Sequence, residues 1–446
     1  MSARRNPRLG SEVLRRTLFL LLCALLPAAP APLRAQGDAP ALPARDALVA
    51  RVNAGVALLN QLYWSPTLCI WFDRTGDDVR GHYDGRVNPP WWSSANAVET
   101  LIDFMKVSGS AQYQPMLESL YDVQRDAKNK RPRMIAELKR RNQWTDADEQ
   151  KFRQREADAE KKARARKPGE PPPAKSEYYV EFRNEYLDDS GWWGIAWLKM
   201  YDRTRAPKYL ATACVIHAHM AKNWRPDKDG GVMWCEDEDK LRPNAITNSL
   251  FIILSARLYE RTREAAYLQW AEQTLAWFRA KALYDGTAVV DQPGHKGDYW
   301  TYNQGCYLGA LAALYRATEK VEFLDEAVKA ADTILTKSGV VLPSGVIVEK
   351  LGTNGWDPGL FKGVFARYLG QLRDVLNAVK QHPETAQQID RVLRASAASL
   401  LAHSAGADGQ YAIEWHEGAK DLTTRNLNTH TAALALLTAT LPDARP

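Results

Sequence analysis

The sequence has little cysteine, few strand patterns and no long apolar run. Five cysteines occur among 446 residues, and the spacings of the last four (Cys69, Cys214, Cys235 and Cys306) match no zinc motif. In an exported protein these four would have three possible disulfide pairings, and a core of this size would not need them. No segment approaches the roughly 20 apolar residues of a transmembrane helix, so no integral membrane span is expected.

The first 35 residues have the layout of a secretory signal peptide. A basic stretch precedes the short apolar run 17–26, and Ala35 offers a plausible cleavage site. We therefore expect export, to the periplasm or to the medium. Removing six basic residues and one acidic residue with this segment leaves 53 Lys+Arg and 52 Asp+Glu, a balance that gives no reason to expect a nucleic-acid partner.

A pattern of a large apolar residue, Tyr and then Thr three residues later recurs along the chain. Its three clear copies contain Tyr201, Tyr259 and Tyr315, at intervals of 58 and 56 residues, and a degraded copy lies near Ser108. Internal repeats of this length are typical of stacked or circular arrays of supersecondary units. Strand patterns are limited to short stretches such as 340–347.

Apolar residues at helical spacing predict twelve helices in the mature chain. Their expected ranges are 45–64, 94–107, 112–143, 189–203, 206–224, 245–261, 264–280, 302–318, 321–337, 359–380, 384–403 and 427–440. Six helical hairpins can close into an all-α (α/α)6 barrel, which we expect to form a single catalytic domain over 36–446. In such a ring the inner helices run the same way, so the loops entering them meet at one mouth.

One segment, at about 128–174, interrupts the repeat. It is dense in charge, poor in large apolar residues and ends in the proline-rich run PGEPPP. This composition predicts an insertion of exposed helix followed by a stiff spacer. A basic arm that touches an anionic envelope surface is the alternative.

The adjacent pair Asp188 and Asp189 is the sharpest chemical feature. Like charges side by side raise one pKa, which separates an ionised nucleophile from a protonated acid, although a helix N-terminus favours both anions. Simple capping of the helix start is the alternative interpretation. Retaining glycosidases hold two carboxyl groups about 5–5.5 Å apart, a separation that neighbouring residues reach readily. If the protein is a glycosidase, the spacing favours retention.

The chain resembles glycoside hydrolase family 76, the endo-α-1,6-mannanases and related fungal wall transglycosidases. The resemblance is carried by YLDDSGWWGIA at 186–196, GGVMW at 230–234, YNQG at 302–305 and FKGVFARY at 361–368. It implies an (α/α)6 barrel and a retaining mechanism in which Asp188 is the nucleophile and Asp189 the acid/base. The insertion departs from the family pattern.

Polar and aromatic residues of the predicted mouth are expected to contact sugar, although several are equally suited to capping helices. The expected substrate-binding residues are Trp92, Asn96, Tyr186, Trp192, Asn244, Asn248, Asp285, Tyr302, Asn303 and Lys362. Of these, Asp285 resembles a family position that contacts sugar, and a turn-forming role is its alternative. No metal or organic cofactor is expected.

These features predict a monomeric hydrolase that cleaves internal α-1,6-mannosidic bonds of a mannose-containing poly- or oligosaccharide. A transglycosidase acting on mannose-containing envelope glycans and a non-catalytic glycan-binding barrel are the alternatives. An isoprenoid cyclase also uses a helical double ring, but the motif after Asp188 lacks the third acidic residue that would clamp a magnesium diphosphate. Release of reducing sugar separates a glycanase from the binding protein and the cyclase.

Overall fold

The computed structural model describes residues 41–71, 91–125, 144–164, 180–228 and 230–441, with isolated positions between 133 and 142. The predicted signal peptide at 1–35 lies outside the described residues, as does much of the predicted insertion at 128–174.

The described residues form thirteen α-helices and one short two-stranded pairing. In chain order these elements are α1 (Arg45–Tyr63), β1 (Trp64–Ser65), β2 (Ile70–Trp71), α2 (Trp91–Ser108), α3 (Gln114–Gln124), α4 (Asp146–Arg164), α5 (Leu187–Thr204), α6 (Pro207–Lys222), α7 (Ala245–Thr262), α8 (Ala265–Ala280), α9 (Thr301–Thr318), α10 (Val321–Lys337), α11 (Pro358–Val379), α12 (Pro383–Ser399) and α13 (Leu427–Ala439).

Within the described part of the chain, six helices form an inner ring. They follow the order α2, α5, α7, α9, α11 and α13; each contacts the next, and α13 contacts α2 to close the ring. The helices α1, α3, α6, α8, α10 and α12 alternate with them along the chain, and most pack directly on inner helices. The architecture is the predicted (α/α)6 barrel.

The inner helices are buried on almost every side. In α7, every residue from 245 to 258 is buried, because the helix packs against both ring neighbours and outer helices. Small residues permit the closest approaches: a Cβ on Gly305 of α9 would lie 2.7 Å from the Cα of Phe365, and one on Gly363 of α11 would overlap the backbone of Ala432. These glycines set the spacing between neighbouring inner helices.

The repeated sequence pattern forms the turn from an inner helix to the next outer helix. Thr204, Thr262 and Thr318 each donate their hydroxyl to the carbonyl four residues back, at 2.7–2.9 Å. Each also accepts the backbone N–H two residues ahead, at 3.2–3.3 Å. Ser108 makes the same two bonds in the degraded copy. The repeat therefore encodes a turn that satisfies the last groups of the helix.

The residue after each of these threonines adopts the left-handed conformation. Arg205, Arg263 and Glu319 have φ of 58–61°, and each donates its N–H to the carbonyl of the repeat tyrosine four residues earlier. Such a cap ends the helix and reverses the chain. Inner and outer helices consequently lie antiparallel.

Two predicted elements differ in the structure. The helix predicted over 112–143 ends as α3 at Gln124, the carbonyl of Arg125 accepts the N–H of Glu181, and the described positions between 133 and 140 are helical again. The strand pattern at 340–347 is reduced to a single antiparallel bridge between Val341 and Ile347. Helix α4 lies within the predicted insertion, and none of its described side chains is buried.

The four cysteines after residue 35 are all described, and all four are free. Three of them are buried, and Cys214 is half-buried. Within the described part of the chain, no helix has the length and apolar character needed to cross a membrane.

We expect Thr262→Val to lower the free energy of unfolding by about 1–3 kcal/mol, because it removes both hydrogen bonds of the turn. Thr336→Val is the matched control: this exposed residue of α10 donates to a carbonyl four residues back, and we expect its loss to cost under about 0.5 kcal/mol. Urea unfolding followed by circular dichroism measures both. Equal losses would contradict the assigned role of the turn.

Candidate active site

A cleft of about 390 Å³ opens where the inner helices begin. Trp92 lies at the start of α2, Asp188 at the start of α5 and Tyr302 at the start of α9, while Asn244 and Asp357 are the N-caps of α7 and α11. All five line the cleft. The shared direction of the inner helices brings residues distant in sequence to one mouth, as the sequence predicted.

Asp188 accepts two hydrogen bonds from fixed donors. One oxygen accepts the backbone N–H of Asp189 at 2.9 Å, and the other accepts the indole N–H of Trp234 at 2.9 Å. Both bonds stabilise the ionised carboxylate. The N-cap residue, Tyr186, supplies no capping side chain.

Backbone pairing fixes Trp234 beside Asp188. The N–H of Leu187 donates to the carbonyl of Trp234 at 2.9 Å, and the N–H of Trp234 donates to the carbonyl of Arg242 at 2.8 Å. The Arg242 guanidinium lies over the indole ring, 4.3 Å from its centroid. The indole donor is therefore held by its own backbone and by a cation above the ring.

Asp189 has a different environment. One of its oxygens accepts the side-chain amide of Asn184 at 2.7 Å. Asn184 is buried, and its own oxygen accepts the N–H of Tyr186 at 3.2 Å, while its backbone N–H donates to the Ser190 hydroxyl at 3.1 Å. The amide is thus aimed at Asp189 by bonds on both sides.

Burial raises the pKa of both carboxyl groups. It raises the pKa of Asp188 to about 7, against the lowering effect of the N–H of Asp189 and the Trp234 indole. It raises the pKa of Asp189 well above its ordinary value, and the neighbouring Asp188 charge adds to that rise. The cleft therefore favours one proton on Asp189 beside a more readily ionised Asp188.

Aromatic side chains form much of the cleft wall. Tyr302 and Phe361 stack with ring centroids 3.9 Å apart, and Tyr186 packs against Trp234 at 5.1 Å. The Trp92 ring lies 6.0 Å from Phe361, and its indole donates to a carboxylate oxygen of Asp357 at 2.8 Å. Flat amphipathic rings of this kind suit the faces of sugars.

Seven of the predicted site residues come together in the cleft. They are Trp92, Tyr186, Asp188, Asp189, Trp192, Asn244 and Tyr302. Asn244 also caps α7 by accepting the N–H of Thr247, so the capping and cleft interpretations both describe it.

Asn96 and Lys362, predicted to bind sugar, are buried away from the cleft lining. The Asn96 oxygen accepts from the Arg367 guanidinium at 2.6 Å. The Lys362 ammonium donates to the carbonyl of Ile413 at 2.5 Å and lies 4.6 Å from the centroid of a Trp415 ring. Both side chains can be buried because each forms a hydrogen bond inside the protein in place of one to water.

Asn248, Asn303 and Asp285 also lie outside the cleft lining. The Asn248 side chain accepts the N–H of Val232 at 2.9 Å and donates to its carbonyl at 3.0 Å, which anchors the loop that carries Trp234. Asn303 donates to Asp291, a cleft residue, at 2.9 Å. Asp285 is exposed and accepts N–H groups two and three residues ahead, as in its turn-forming alternative. Asn248 and Asn303 therefore position other residues of the site, whereas Asp285 stabilises a turn outside the cleft lining.

Six residues of the cleft lining were absent from the predicted set. They are Trp234, Arg242, Asp291, Gln292, Asp357 and Phe361. Most belong to the loops that enter inner helices, and two of them, Trp234 and Phe361, fall in stretches that carry the family resemblance. Their position in a loop before an inner helix is therefore the sequence feature that could have identified them as cleft residues.

Among the described residues, no group of three or more His, Cys, Asp or Glu side chains is arranged to hold a metal ion. His217 lies next to the Ser255 hydroxyl at 2.9 Å, and His219 lies 3.4 Å from the carbonyl of Asn184.

The fold and the cleft define an (α/α)6 barrel with paired carboxylates at the mouth of its inner ring. A family model described as Glycosyl hydrolase family 76 matches residues 173–446, a range that contains every cleft residue except Trp92. The chain belongs to glycosyl hydrolase family 76.

Relatives and solved structures agree with this assignment. The mannan endo-1,6-alpha-mannosidase DCW1 of Saccharomyces cerevisiae is 30% identical over 262 residues, 52% of this chain and 56% of the relative. The DCW1 of Candida glabrata is 28% identical over 249 residues, 50% of this chain and 53% of that protein. The matches thus span little more than half the length of these curated relatives.

The structure of the GH76A alpha-1,6-mannanase from Salegentibacter sp. HEL1_6 superimposes with a TM-score of 0.64 at 20% identity, covering 88% of this chain and 98% of that one. An inactive variant of the same mannanase, in complex with alpha-1,6-mannotriose, gives a TM-score of 0.65, also at 20% identity, with 88% and 99% covered. At this identity the likeness establishes the barrel.

We expect Asp188→Asn to stabilise the folded protein at alkaline pH. Because the pKa of Asp188 is raised to about 7, its ionisation in the folded state costs free energy that is absent below about pH 4 and complete above about pH 7. At about pH 8 the variant should gain about 1–3 kcal/mol, and at about pH 4 almost nothing. Unfolding by urea across this pH range measures the difference.

Asp421→Asn is the control for this experiment. Burial acts to raise the pKa of Asp421, but hydrogen bonds from Thr424 and Thr423 lower it to about 2, so its ionised form stabilises the fold above its unfolded pKa. The control should lose stability at alkaline pH. A loss in Asp188→Asn as well would contradict the buried, raised-pKa environment.

Proposed function

We propose that the protein is a retaining glycoside hydrolase that cleaves internal α-1,6-mannosidic bonds of mannan-type glycans. The observation that carries the proposal is the unequal pair in one cleft: Asp188 with two donors fixed on its carboxylate, and Asp189 with one amide donor and a pKa raised by burial and by the Asp188 charge. The names of the curated relatives and the α-1,6-mannotriose bound to the similar mannanase support the choice of substrate.

In the first half-reaction the Asp188 carboxylate attacks the anomeric carbon. The bond to the departing glycosidic oxygen breaks, and Asp189 gives that oxygen its proton. The product is a glycosyl ester on Asp188 with inverted configuration, beside an ionised Asp189. The Trp234 and backbone donors on Asp188 favour its ionised form, which suits the nucleophile role.

In the second half-reaction Asp189 acts as the base. It takes a proton from water, the resulting hydroxyl attacks the anomeric carbon from the opposite face, and Asp188 leaves as a carboxylate. Two inversions return the α configuration. If a sugar hydroxyl replaces water, the same step is transglycosylation, which is the alternative function.

The cleft residues Trp92, Tyr186, Trp192, Asn244 and Tyr302 are proposed to orient the sugar. Burial and the nearby carboxylates raise the pKa of Tyr302 well above its ordinary value, so its phenol stays neutral and can donate a hydrogen bond. We further propose that a monomer is the working form and that it acts after export, in the periplasm or the medium, as the N-terminal sequence pattern indicates.

We expect Asp188→Asn and Asp189→Asn each to lower hydrolysis of α-1,6-mannan by at least about 1,000-fold, since each removes a group that changes bonding in the reaction. Asp227→Asn, a surface carboxylate paired with Arg225, should keep wild-type activity. Reducing-sugar release measures the rates, and NMR of the earliest products should show the α anomer.

Early release of the β anomer, or full activity in Asp188→Asn, would contradict the mechanism. Products longer than the starting oligosaccharide would favour the transglycosidase. No reaction with any α-1,6-mannan would contradict the proposed substrate.

We expect Asn184→Ala to lower kcat by about tenfold or more and to move the alkaline limb of the pH profile to higher pH. Asn184 donates to Asp189 and so favours its ionised form; without this donor the Asp189 pKa rises further and the acid stays protonated longer. The matched control is Asn223→Ala, whose amide donates to Glu236 instead. An unmoved alkaline limb would leave Asn184 with only a structural role.

A further inference from the structure

A second large cavity lies at the opposite end of the barrel, where the inner helices end. Its volume is about 420 Å³, similar to that of the cleft. Six cationic residues line it: Lys106, Lys199, Arg203, Arg257, Arg261 and Arg316. Only two carboxylates, Asp103 and Asp202, belong to the same described lining. The cavity therefore carries a surplus of positive charge.

Two of these cations are neutralised by carboxylates. The Lys199 ammonium lies 2.8 Å from both Glu99 and Asp103. The Arg261 guanidinium pairs with Asp202 and lies 2.9 Å from Glu260. These pairs involve both carboxylates of the cavity lining, Asp103 and Asp202, and two carboxylates outside the lining, Glu99 and Glu260.

Two other arginines donate their hydrogen bonds to neutral groups. Arg203 donates to the Gln114 side chain at 3.2 Å and to the carbonyl of Ser110 at 2.7 Å. Arg257 is only 7% exposed and donates to the side chain of Gln371 at 2.8 Å. Among the described residues neither guanidinium forms an ion pair with a carboxylate, although the charge of the buried Glu99 acts on Arg257. A buried guanidinium without a direct carboxylate contact can gain stability from a further anion.

Arg316 completes a set of three on neighbouring helices. It lies at the rim, 3.3 Å from Glu260, which it shares with Arg261. Arg203, Arg257 and Arg316 come from α5, α7 and α9, which are consecutive in the inner ring. Their positions on three successive helices let the guanidinium groups face the same space from three sides.

The ends of the inner helices account for part of this charge. Helix C-termini carry partial negative charge and attract cations within their last turn. This effect explains why Lys and Arg collect here, but it does not bring a carboxylate into direct contact with Arg203 or Arg257. Planar guanidinium forks match the oxygens of a phosphate group, and the cavity volume falls in the range of small-molecule sites.

We propose that this cavity binds a small dianionic oxyanion of the phosphate class, held by Arg203, Arg257 and Arg316. The shared chemistry is a tetrahedral group with two negative charges, either free phosphate or a phosphomonoester on a sugar. The site is separate from the carboxylate cleft, and it does not depend on the proposed hydrolysis.

Isothermal titration calorimetry of the full chain with inorganic phosphate at low ionic strength tests the proposal. We expect saturable binding with a Kd below about 1 mM. The double variant Arg203→Gln with Arg316→Gln should bind at least tenfold more weakly. The control Arg263→Gln removes an exposed arginine at the same end of the barrel, outside the cavity lining, and should bind as the wild type does.

A parallel titration with a hexose phosphomonoester distinguishes the two sources. Tighter binding than inorganic phosphate identifies a phosphorylated sugar, and equal or weaker binding identifies the free ion. Broadening of the phosphate ³¹P signal by the wild-type protein tests binding without any substitution. No saturable heat and no broadening, or the same Kd in the double variant as in the wild type, would overturn the proposal.

Discussion

All inner helices of the ring run from the carboxylate cleft to the basic cavity, and the charge of both ends follows from this shared direction. Their N-termini carry partial positive charge, which favours ionised carboxylates at the cleft. Burial of Asp188 and Asp189 nevertheless raises both pKa values, so desolvation outweighs the helix ends there. At the other end the carbonyls and the basic side chains attract each other. One geometric constraint thus produces two chemically opposite pockets.

A buried group of ions lies inside the ring, on the inner helices that connect the two pockets. Glu99 is completely buried and pairs with Lys199 at 2.8 Å and Arg367 at 3.4 Å. Burial opposes its ionisation, yet these two cations hold the pKa of Glu99 below its usual range. Arg367 also bonds Asn96, which explains why an asparagine near the predicted mouth serves the interior. Breaking one member would leave an uncompensated charge in the core.

The features best predicted from the sequence are those with a local cause. Periodicity located the helices to within a few residues, apart from the one predicted over 112–143, and the repeated Tyr and Thr positions proved to encode a turn with defined hydrogen bonds. The adjacent aspartates stood out because neighbouring charges need no three-dimensional information. The sequence did not show which polar side chains are buried. Asn96, Asn248 and Lys362 are buried because they bond to residues in other parts of the chain. No pattern within a single helix reports such a partner.

The roles of supporting residues escaped prediction for the same reason. Trp234 bonds Asp188 across 46 positions, and Asn303 holds Asp291 from the start of the next helix. The motif around Trp234 had been noticed, but its indole donor gains meaning only once the two backbone segments pair. Likewise Asn184 is unremarkable in sequence until its amide is seen to point at Asp189.

The repeated turn also separates two kinds of folding event. It joins an inner helix to its outer partner through bonds between residues two to four apart, so each hairpin can form from contacts that are local in sequence and therefore fast. Closing the ring is different, because the bonds from Arg367 to Asn96 and from His430 to Gly55 span 271 and 375 residues. The hairpins are available early during synthesis, whereas the cleft lining is complete only after α11 has emerged, and the ring closes later still, when α13 docks against α2.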